Sequence, residues 1–175
     1  MPAARSSTAW RVVERPAMSL VVFAVGNESR GDDALGPLLL GRLEGLALPG
    51  VTTIFDFQLQ IEHALDLQGH DLALFIDAGQ GTPAPFSFAP VLPAADNSHT
   101  SHALSPAAVL DVYRRAVGGE PPPAFILGVR GESFELGDGL SPAAIAHLEQ
   151  AWHFLQGLCA GPELVRWQRT ELTAA

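Results

Sequence analysis

The chain has one cysteine, Cys159, in 175 residues, which excludes an internal disulfide and favours a reducing compartment such as the cytoplasm. It also has no apolar run of the roughly 18–20 residues that a membrane-spanning helix needs. The formal net charge of −9 and the pI near 4.9 argue against nucleic acids and anionic membrane surfaces as partners. We therefore expect a cytoplasmic protein that binds neither.

The motifs of common hydrolases are also missing. Gly131–Glu135 matches the Gly-x-Ser-x-Gly nucleophile motif except at its last position. Glu62 and His63 stand side by side, but the other residues of a His-Glu-x-x-His zinc helix do not follow. Cys159 falls on the apolar face of the last predicted helix, which favours a buried thiol over a nucleophile.

A turn rich in glycine and aspartate follows the first strand-like run, Leu20–Ala24. Gly26 and Gly31 have the spacing of half a phosphate-binding loop, but Asp32 and Asp33 replace the lysine and hydroxyl residue that such a loop requires. Two adjacent carboxylates repel a phosphate. This turn is therefore predicted to bind a metal cation or a proton.

Length and a hydrophobic content of 47% predict one globular domain with a sizeable core. Residues 1–17 lack the apolar centre of a secretion signal and are predicted to be a flexible N-terminal extension. The domain is predicted to span residues 18–160. Residues 161–175 have no sustained pattern and are expected to form a loosely held C-terminal tail, which Trp167 would be able to dock.

Strand-like apolar runs alternate with segments of helical periodicity. This alternation predicts a single-domain α/β fold, a doubly wound and mainly parallel sheet of about five strands with helices on both faces. Predicted strands are Leu20–Val25, Val51–Phe55, Leu72–Ile76, Phe86–Phe88 and Ala124–Val129, and predicted helices begin near Leu35, Leu59, Val109 and Ile145.

The pentapeptide Leu-Ser-Pro-Ala-Ala occurs twice, at Leu104–Ala108 and Leu140–Ala144. Serine is a good helix N-cap, and proline is tolerated at the first helical position because no N–H is needed there. We interpret both copies as helix starts and not as an internal duplication.

Acidic residues follow the predicted strands one after another. Asp32 and Asp33 follow the first strand, Asp56 the second and Asp77 the third. The carboxyl ends of parallel strands share one edge of a sheet, so these side chains are expected to converge at one site. The loop after the fourth strand adds His99 and His102, and mixed carboxylate and imidazole ligands suit zinc, nickel, manganese or cobalt.

Each of these residues also has a structural interpretation. Asp32 is favoured as the N-cap of the first helix, and a single strand-end aspartate is more often a cap than a ligand. A histidine in a polar loop, as with His99 and His102, is solvated by default. His63, His70, His147 and His153 lie on or beside predicted helices and are assigned no chemistry.

Four segments, in order, resemble the hydrogenase maturation endopeptidases. Gly26-Asn27 with Asp32-Asp33 and Gly36 resembles the opening motif, and Ile76-Asp77-Ala78 resembles the strand-terminal aspartate. Thr100–Leu104 resembles the segment with the loop histidine. The late strand and the start of the final helix are similar to Leu127–Ser133 and Leu140–Pro142, so the resemblance spans roughly residues 19–157.

The resemblance implies an endopeptidase that removes a C-terminal extension from the precursor of a NiFe hydrogenase large subunit after nickel insertion. Asp33, Asp77 and His102 would contact nickel supplied by the precursor, so the resting enzyme is expected to be metal-free. The protein is also expected to be a monomer. Many relatives have glutamate where this chain has Asp33, a side chain one methylene longer. Asp32, Asp56 and Glu62 are second-shell or proton-handling candidates.

The segment Asp56–His63 replaces the glycine-rich turn of many relatives and resembles the branch that serves soluble NAD-reducing hydrogenases. Two other functions are consistent with the residues. One is a non-proteolytic nickel-binding assembly chaperone, which would need no nucleophile. The other is an unrelated hydrolase with two metal ions bridged by Asp32 and Asp33.

Overall fold

The computed structural model describes residues 18–95 and 104–170. Its regular elements alternate along the chain as an α/β protein requires. In order they are β1 (Leu20–Val25), α1 (Leu35–Glu44), β2 (Val51–Asp56), α2 (His63–Asp66), β3 (Leu72–Gly79), β4 (Phe86–Val91), α3 (Pro106–Ala116), β5 (Ala124–Arg130), α4 (Pro142–Cys159) and α5 (Leu164–Gln168).

Five strands form one sheet in the order β2-β1-β3-β5-β4. The pairs β1–β2, β1–β3 and β3–β5 are parallel, whereas β4 runs antiparallel to β5 at the edge. Residues 80–85 are too few for the crossover that a parallel return needs, so β4 enters beside β5 in the opposite direction. The predicted fold class is confirmed.

Helices cover both faces of the sheet because successive strand residues point to opposite sides. Leu20, Val22 and Ala24 of β1 pack on the face that holds α1, α4 and α5. Val21 and Phe23 pack on the other face with α2 and α3. Both sides of each central strand are therefore buried, which explains why these strands are continuously apolar.

The repeated pentapeptide does start two helices. Ser105 precedes α3 and accepts a hydrogen bond from the Ala108 N–H at 3.2 Å, and Ser141 precedes α4 and accepts one from Ala144 at the same distance. Pro106 and Pro142 occupy the first helical positions. The capping interpretation is confirmed.

Two helices are shorter than their apolar periodicity suggests. The predicted helix over Leu59–Leu67 is only His63–Asp66, because residues 57–62 form bends and turns in which Leu59 is buried without being helical. Helix α1 ends at Glu44, which leaves Leu46 outside it and 40% exposed. Burial of a few anchoring side chains, and not periodicity alone, sets the helix ends.

The C-terminal segment up to residue 170 is held to the domain by Trp167, the residue expected to be able to dock it. Helix α5 places Trp167 in the core with no solvent exposure, against the rings of Phe88 and Phe125 at 5.8 and 5.4 Å between centroids. One buried indole therefore anchors a segment whose apolar pattern is too short to predict a helix from sequence. Residues 1–17 and 171–175 lie outside the described part of the chain. Within that part, no helix is long and apolar enough to span a bilayer.

Candidate functional site

The candidate site lies at the carboxyl edge of the parallel strands. Asp56 is the last residue of β2 and is level with Val25 at the end of β1. Ala24 is level with Ile76, which places Asp77 of β3 beside Val25 on the other side. Strand β3 continues two residues beyond Asp77, so this aspartate lies within the strand, paired with Gly128 of β5. The structure therefore places Asp56 and Asp77 in one row, with Val25 between them.

The turn after β1 brings Asp33 to the same edge. Asp33 Oδ2 accepts a hydrogen bond from the Asn27 backbone N–H at 2.9 Å. This bond links the two ends of the turn. The turn is too tight for side chains at its glycines. Gly26 has φ +141°, and a Cβ there would lie 2.1 Å from the Asp33 carbonyl oxygen. Gly31 has φ +53°, and its Cβ would lie 2.6 Å from the Ser133 carbonyl oxygen.

Asp33 and Asp77 interact electrostatically across this edge. Burial raises the pKa of Asp77 to about 6, repulsion from Asp33 adds to the rise, and a hydrogen bond from the Ala78 N–H at 2.8 Å opposes it. Asp77 is therefore a carboxyl group that is costly to ionise next to a second carboxylate. A cation shared by the two would remove that cost, because it favours the charged form of both.

Asp32 has a different position from its neighbour. It is fully buried and accepts four hydrogen bonds, from the backbone N–H groups of Glu132 (2.6 Å), Ser133 (3.0 Å) and Ser141 (2.7 Å) and from the Ser141 hydroxyl (2.8 Å). Burial alone would raise its pKa, but these bonds outweigh burial and hold the pKa below its usual range.

The interpretation of Asp32 as a helix N-cap is wrong. It lies inside a short 3-10 turn, Gly31–Ala34, and its carboxylate joins the β1 turn to the loop between β5 and α4. Further backbone bonds support this junction, from Asp32 N to Ser133 O (2.8 Å) and from Gly137 N to Ser29 O (2.7 Å). The partners are about 100 residues away in sequence, and no local signal indicates them.

Asp56 belongs to a small polar network that the sequence did not indicate. Its Oδ1 accepts the Phe57 N–H at 2.6 Å and its Oδ2 accepts from Gln60 Nε2 at 2.9 Å. His63 is only 5% exposed, and its Nδ1 accepts the Gln60 backbone N–H at 2.8 Å. The ring proton therefore lies on Nε2, which faces Asp56 Oδ2 at 3.6 Å. The sequence assigns no chemistry to His63, but in the structure its ring lies next to the carboxylate of Asp56 in the candidate site.

The remaining predicted residues are not brought together by the described structure. Glu62 is exposed in the turn before α2. His99 and His102 lie outside the described residues, so their approach to Asp33 and Asp77 stays a prediction. Within residues 18–95 and 104–170, no group of three or more histidine, cysteine, aspartate or glutamate side chains is arranged to hold a metal ion.

A cleft of about 410 Å³ opens at this edge on the α2/α3 face. Asp77 lines it together with Val25, Phe57 and Leu59, and with Leu104, two residues before α3 begins. The Leu104 N–H donates to the Leu59 carbonyl oxygen at 3.1 Å, which ties the α3 start to the cleft wall. The described chain therefore resumes, two residues after His102, at a residue that lines the same cleft as Asp77.

Cys159 is buried on the opposite side of the sheet, in the core with α1 and α4. Burial raises the pKa of its thiol to about 12. A thiolate would not form there at neutral pH, so the prediction of a buried, unreactive thiol is confirmed.

Solved structures with the same architecture settle the fold family. The NiFe hydrogenase maturation protease HycI of Thermococcus kodakarensis superimposes with a TM-score of 0.64 at 22% identity, over 83% of this chain and 94% of that one. The hydrogenase maturating endopeptidase HybD of Escherichia coli gives 0.61 at 24% identity, over 80% and 91% of the two chains. This chain has the fold of the hydrogenase maturation proteases.

A third solved structure, an endopeptidase from Escherichia coli, gives a TM-score of 0.62 at 26% identity, over 80% of this chain and 91% of that one. No family model and no curated protein matches the sequence. The resemblance noted from a few ordered motifs is thus confirmed in three dimensions. Each of these solved chains is covered almost completely, so their whole fold is present here.

Proposed function

We propose that the protein is an endopeptidase that removes the C-terminal extension of a NiFe hydrogenase large-subunit precursor after nickel insertion. The observation that carries the proposal is the Asp33–Asp77 pair at the carboxyl edge of a sheet with the maturation-protease fold. Two interacting carboxylates, one with a pKa raised to about 6, make a site that gains from a cation.

In this proposal the nickel arrives with the substrate and the resting enzyme is metal-free. Asp33 and Asp77 each have a hydrogen bond from a backbone N–H on one oxygen, at 2.9 and 2.8 Å, which fixes the carboxylate and leaves the second oxygen for a ligand. His102 is proposed as the third contact, because the chain after it enters the wall of the Asp77 cleft at Leu104. Carboxylate and neutral imidazole are suitable nickel ligands.

Proton handling is assigned to Asp56 rather than to Asp32. All four hydrogen bonds of Asp32 are made to the β5–α4 region, so its oxygens are already engaged. Asp56 is part of the row at the strand edge, and His63 and Gln60 orient its Oδ2. Glu62, exposed in the turn six residues after the end of β2, is a second candidate for the same task.

The test is a cleavage assay with purified nickel-loaded precursor, nickel-free precursor and zinc-loaded precursor, followed by mass spectrometry of the C-terminus. We expect shortening of the nickel-loaded form only. Asp77→Asn should abolish it, whereas Asp138→Asn, an exposed change in the β5–α4 loop, should cleave like wild type. Equal cleavage of nickel-loaded and nickel-free precursor would refute metal recognition.

The alternative is a nickel-binding assembly chaperone that does not cut. It is supported by the burial of Cys159, the only thiol of the chain. The same assay separates the two functions, because a chaperone binds the precursor and leaves it at full length. We further propose action in the cytoplasm as a monomer, on a precursor of the NAD-reducing class, as the segment Asp56–His63 suggests.

A further inference from the structure

Large apolar side chains are exposed next to the candidate site. Within the described residues, nine large apolar side chains are exposed, and four of them lie between residues 55 and 65. We call these four the apolar rim: Phe55, Phe57, Ile61 and Leu65, exposed by 47, 65, 63 and 58%. The rings of Phe55 and Phe57 are in contact, 5.9 Å between centroids and nearly edge to face. Such a concentration of exposed apolar groups is typical of an interaction site.

The apolar rim is continuous with the cleft at Asp77. Phe57, together with Gln58 and Leu59, lines the same cleft as Asp77. A molecule covering the rim therefore has a direct path to the carboxylates. Because the cleft is about 410 Å³, it accepts a few side chains of a polypeptide and not a folded domain.

Within residues 18–95 and 104–170, the outer edge of strand β2 is unpaired. In the order β2-β1-β3-β5-β4 it pairs only with β1, and no described strand covers its outer side. Protein sheets normally protect such an edge with lysine, proline or a bulge, and Val51–Phe55 contains none of these. An extended peptide can add to such an edge as a further strand, because it hydrogen-bonds to the unpaired backbone N–H and C=O groups and contacts the apolar side chains beside them.

The charge of the surface around the apolar rim indicates which kind of molecule binds there. The sequence has no lysine or arginine between Arg42 and Arg114, and Asp56, Glu62 and Asp66 border the rim. A second copy of this chain, with its own net charge of −9, is repelled by such a surface. The surface favours an apolar segment that carries few acidic residues.

We propose that the apolar rim and the free edge of β2 bind the C-terminal extension of the hydrogenase precursor in an extended conformation. This rests on the proposed function and adds the surface that holds the extension. The extension lies beside β2, its apolar side chains cover Phe57 and Ile61, and its course leads into the cleft toward Asp77. Binding energy from these contacts holds the scissile segment at the carboxylates.

The test combines substitutions in the rim with removal of the extension. Ile61→Ser and Phe57→Ser are compared with Ile145→Ser, an isoleucine 52% exposed on α4, which packs on the other face of the sheet from the cleft. In the cleavage assay we expect KM to rise about tenfold for the rim variants with kcat within about twofold, because remote contacts change binding more than chemistry. The control should match wild type.

Binding is measured separately, with immobilised precursor that either carries or lacks the extension. Removal of the extension should weaken binding of wild type about tenfold and leave binding of Ile61→Ser unchanged, since both changes delete the same contact. If rim variants bind and cleave like the control, or lose affinity equally for both precursors, the proposal is wrong. It is also wrong if wild type is a dimer that Phe57→Ser dissociates. Absence of cleavage by wild type would refute the proposed function alone, because the binding comparison still tests the rim.

Discussion

Asp77 combines a site position with a cost to stability. Its carboxyl group ionises near pH 6 in the folded protein and near 3.8 in the unfolded chain, mainly because of burial. Between these values the folded state binds more protons than the unfolded state, so the unfolding free energy falls as the pH rises through this range. A group that weakens the fold at neutral pH is expected where binding a cation is its purpose.

Asp77→Asn should therefore stabilise the metal-free protein at pH 7 by an amount on the order of 3 kcal/mol. The gain should disappear near pH 3, where the aspartate is protonated in both states. Urea denaturation at several pH values measures this difference, with Asp138→Asn as the exposed control. A gain of equal size at pH 3 and pH 7 would contradict the role of ionisation.

His102 and His99 are three residues apart, and only one is expected to matter. His102 is two residues before Leu104, which is bonded to Leu59 in the cleft wall, and three before the Ser105 cap. An imidazole close to a fixed point loses less freedom when it binds a metal.

His102→Ala should largely abolish cleavage of nickel-loaded precursor, and His99→Ala should keep most of it. Circular dichroism of both variants should match wild type, which separates loss of a ligand from loss of fold. The reverse ranking would show that the wrong loop residue has been assigned to the metal.

At the scale of elements, the two identical helix starts have different surroundings. The Ser105 hydroxyl oxygen caps α3 by accepting from Ala108. The Ser141 hydroxyl caps α4 in the same way and also donates to the buried carboxylate of Asp32 at 2.8 Å. The same pentapeptide thus caps a helix at Ser105, whereas at Ser141 it caps a helix and also joins that helix to the turn after β1 through Asp32.

Ser105→Ala should cost about 1 kcal/mol of unfolding free energy, the usual loss of an N-cap. Ser141→Ala should cost about 2–3 kcal/mol, because a hydrogen bond to a charged group is lost as well. The pKa of Asp32 is lowered in the folded state, so its stabilisation is complete above the unfolded pKa of 3.8 and is lost as the pH falls below it. The difference in unfolding free energy between Ser105→Ala and Ser141→Ala should therefore become smaller at acidic pH. Equal losses of unfolding free energy at neutral pH would show that the hydrogen bond from Ser141 to Asp32 contributes nothing.

At the scale of the molecule, the C-terminal segment closes one face of the sheet. The Trp167 ring completes an aromatic group with Phe88 and Phe125, whose rings stack at 5.2 Å. Its Nε1 is buried and has no hydrogen-bond partner within residues 18–95 and 104–170. The indole therefore acts through packing alone.

Trp167→Ala should lower the unfolding free energy by about 3–5 kcal/mol, as expected for loss of a buried tryptophan. Trp167→Phe should cost about 1–2 kcal/mol, since most of the ring contacts remain and no hydrogen bond is lost. Thermal denaturation ranks the two variants. A loss below about 1 kcal/mol for Trp167→Ala would mean that α5 is held by other contacts.

The sequence by itself determined the elements whose cause is local. Continuous apolar runs produce buried parallel strands, Ser-Pro pairs start helices, and strand-end aspartates share an edge once the sheet is parallel. The row of Asp56 and Asp77, the cap at Ser141 and the buried thiol of Cys159 all follow from such rules.

Only the tertiary structure showed how differently the two adjacent aspartates are surrounded. Asp32 accepts hydrogen bonds from residues about 100 positions away, whereas Asp33 is close enough to Asp77 to raise the pKa of that carboxyl group. The same holds for His63 beside Asp56 and for Trp167 in the core, because burial and hydrogen bonding between distant segments have no signature in local pattern. A carboxylate surrounded by several backbone N–H donors stabilises the fold, whereas one with few such donors keeps an oxygen free to bind a ligand. The number of donors around a carboxylate is known only from the packed structure.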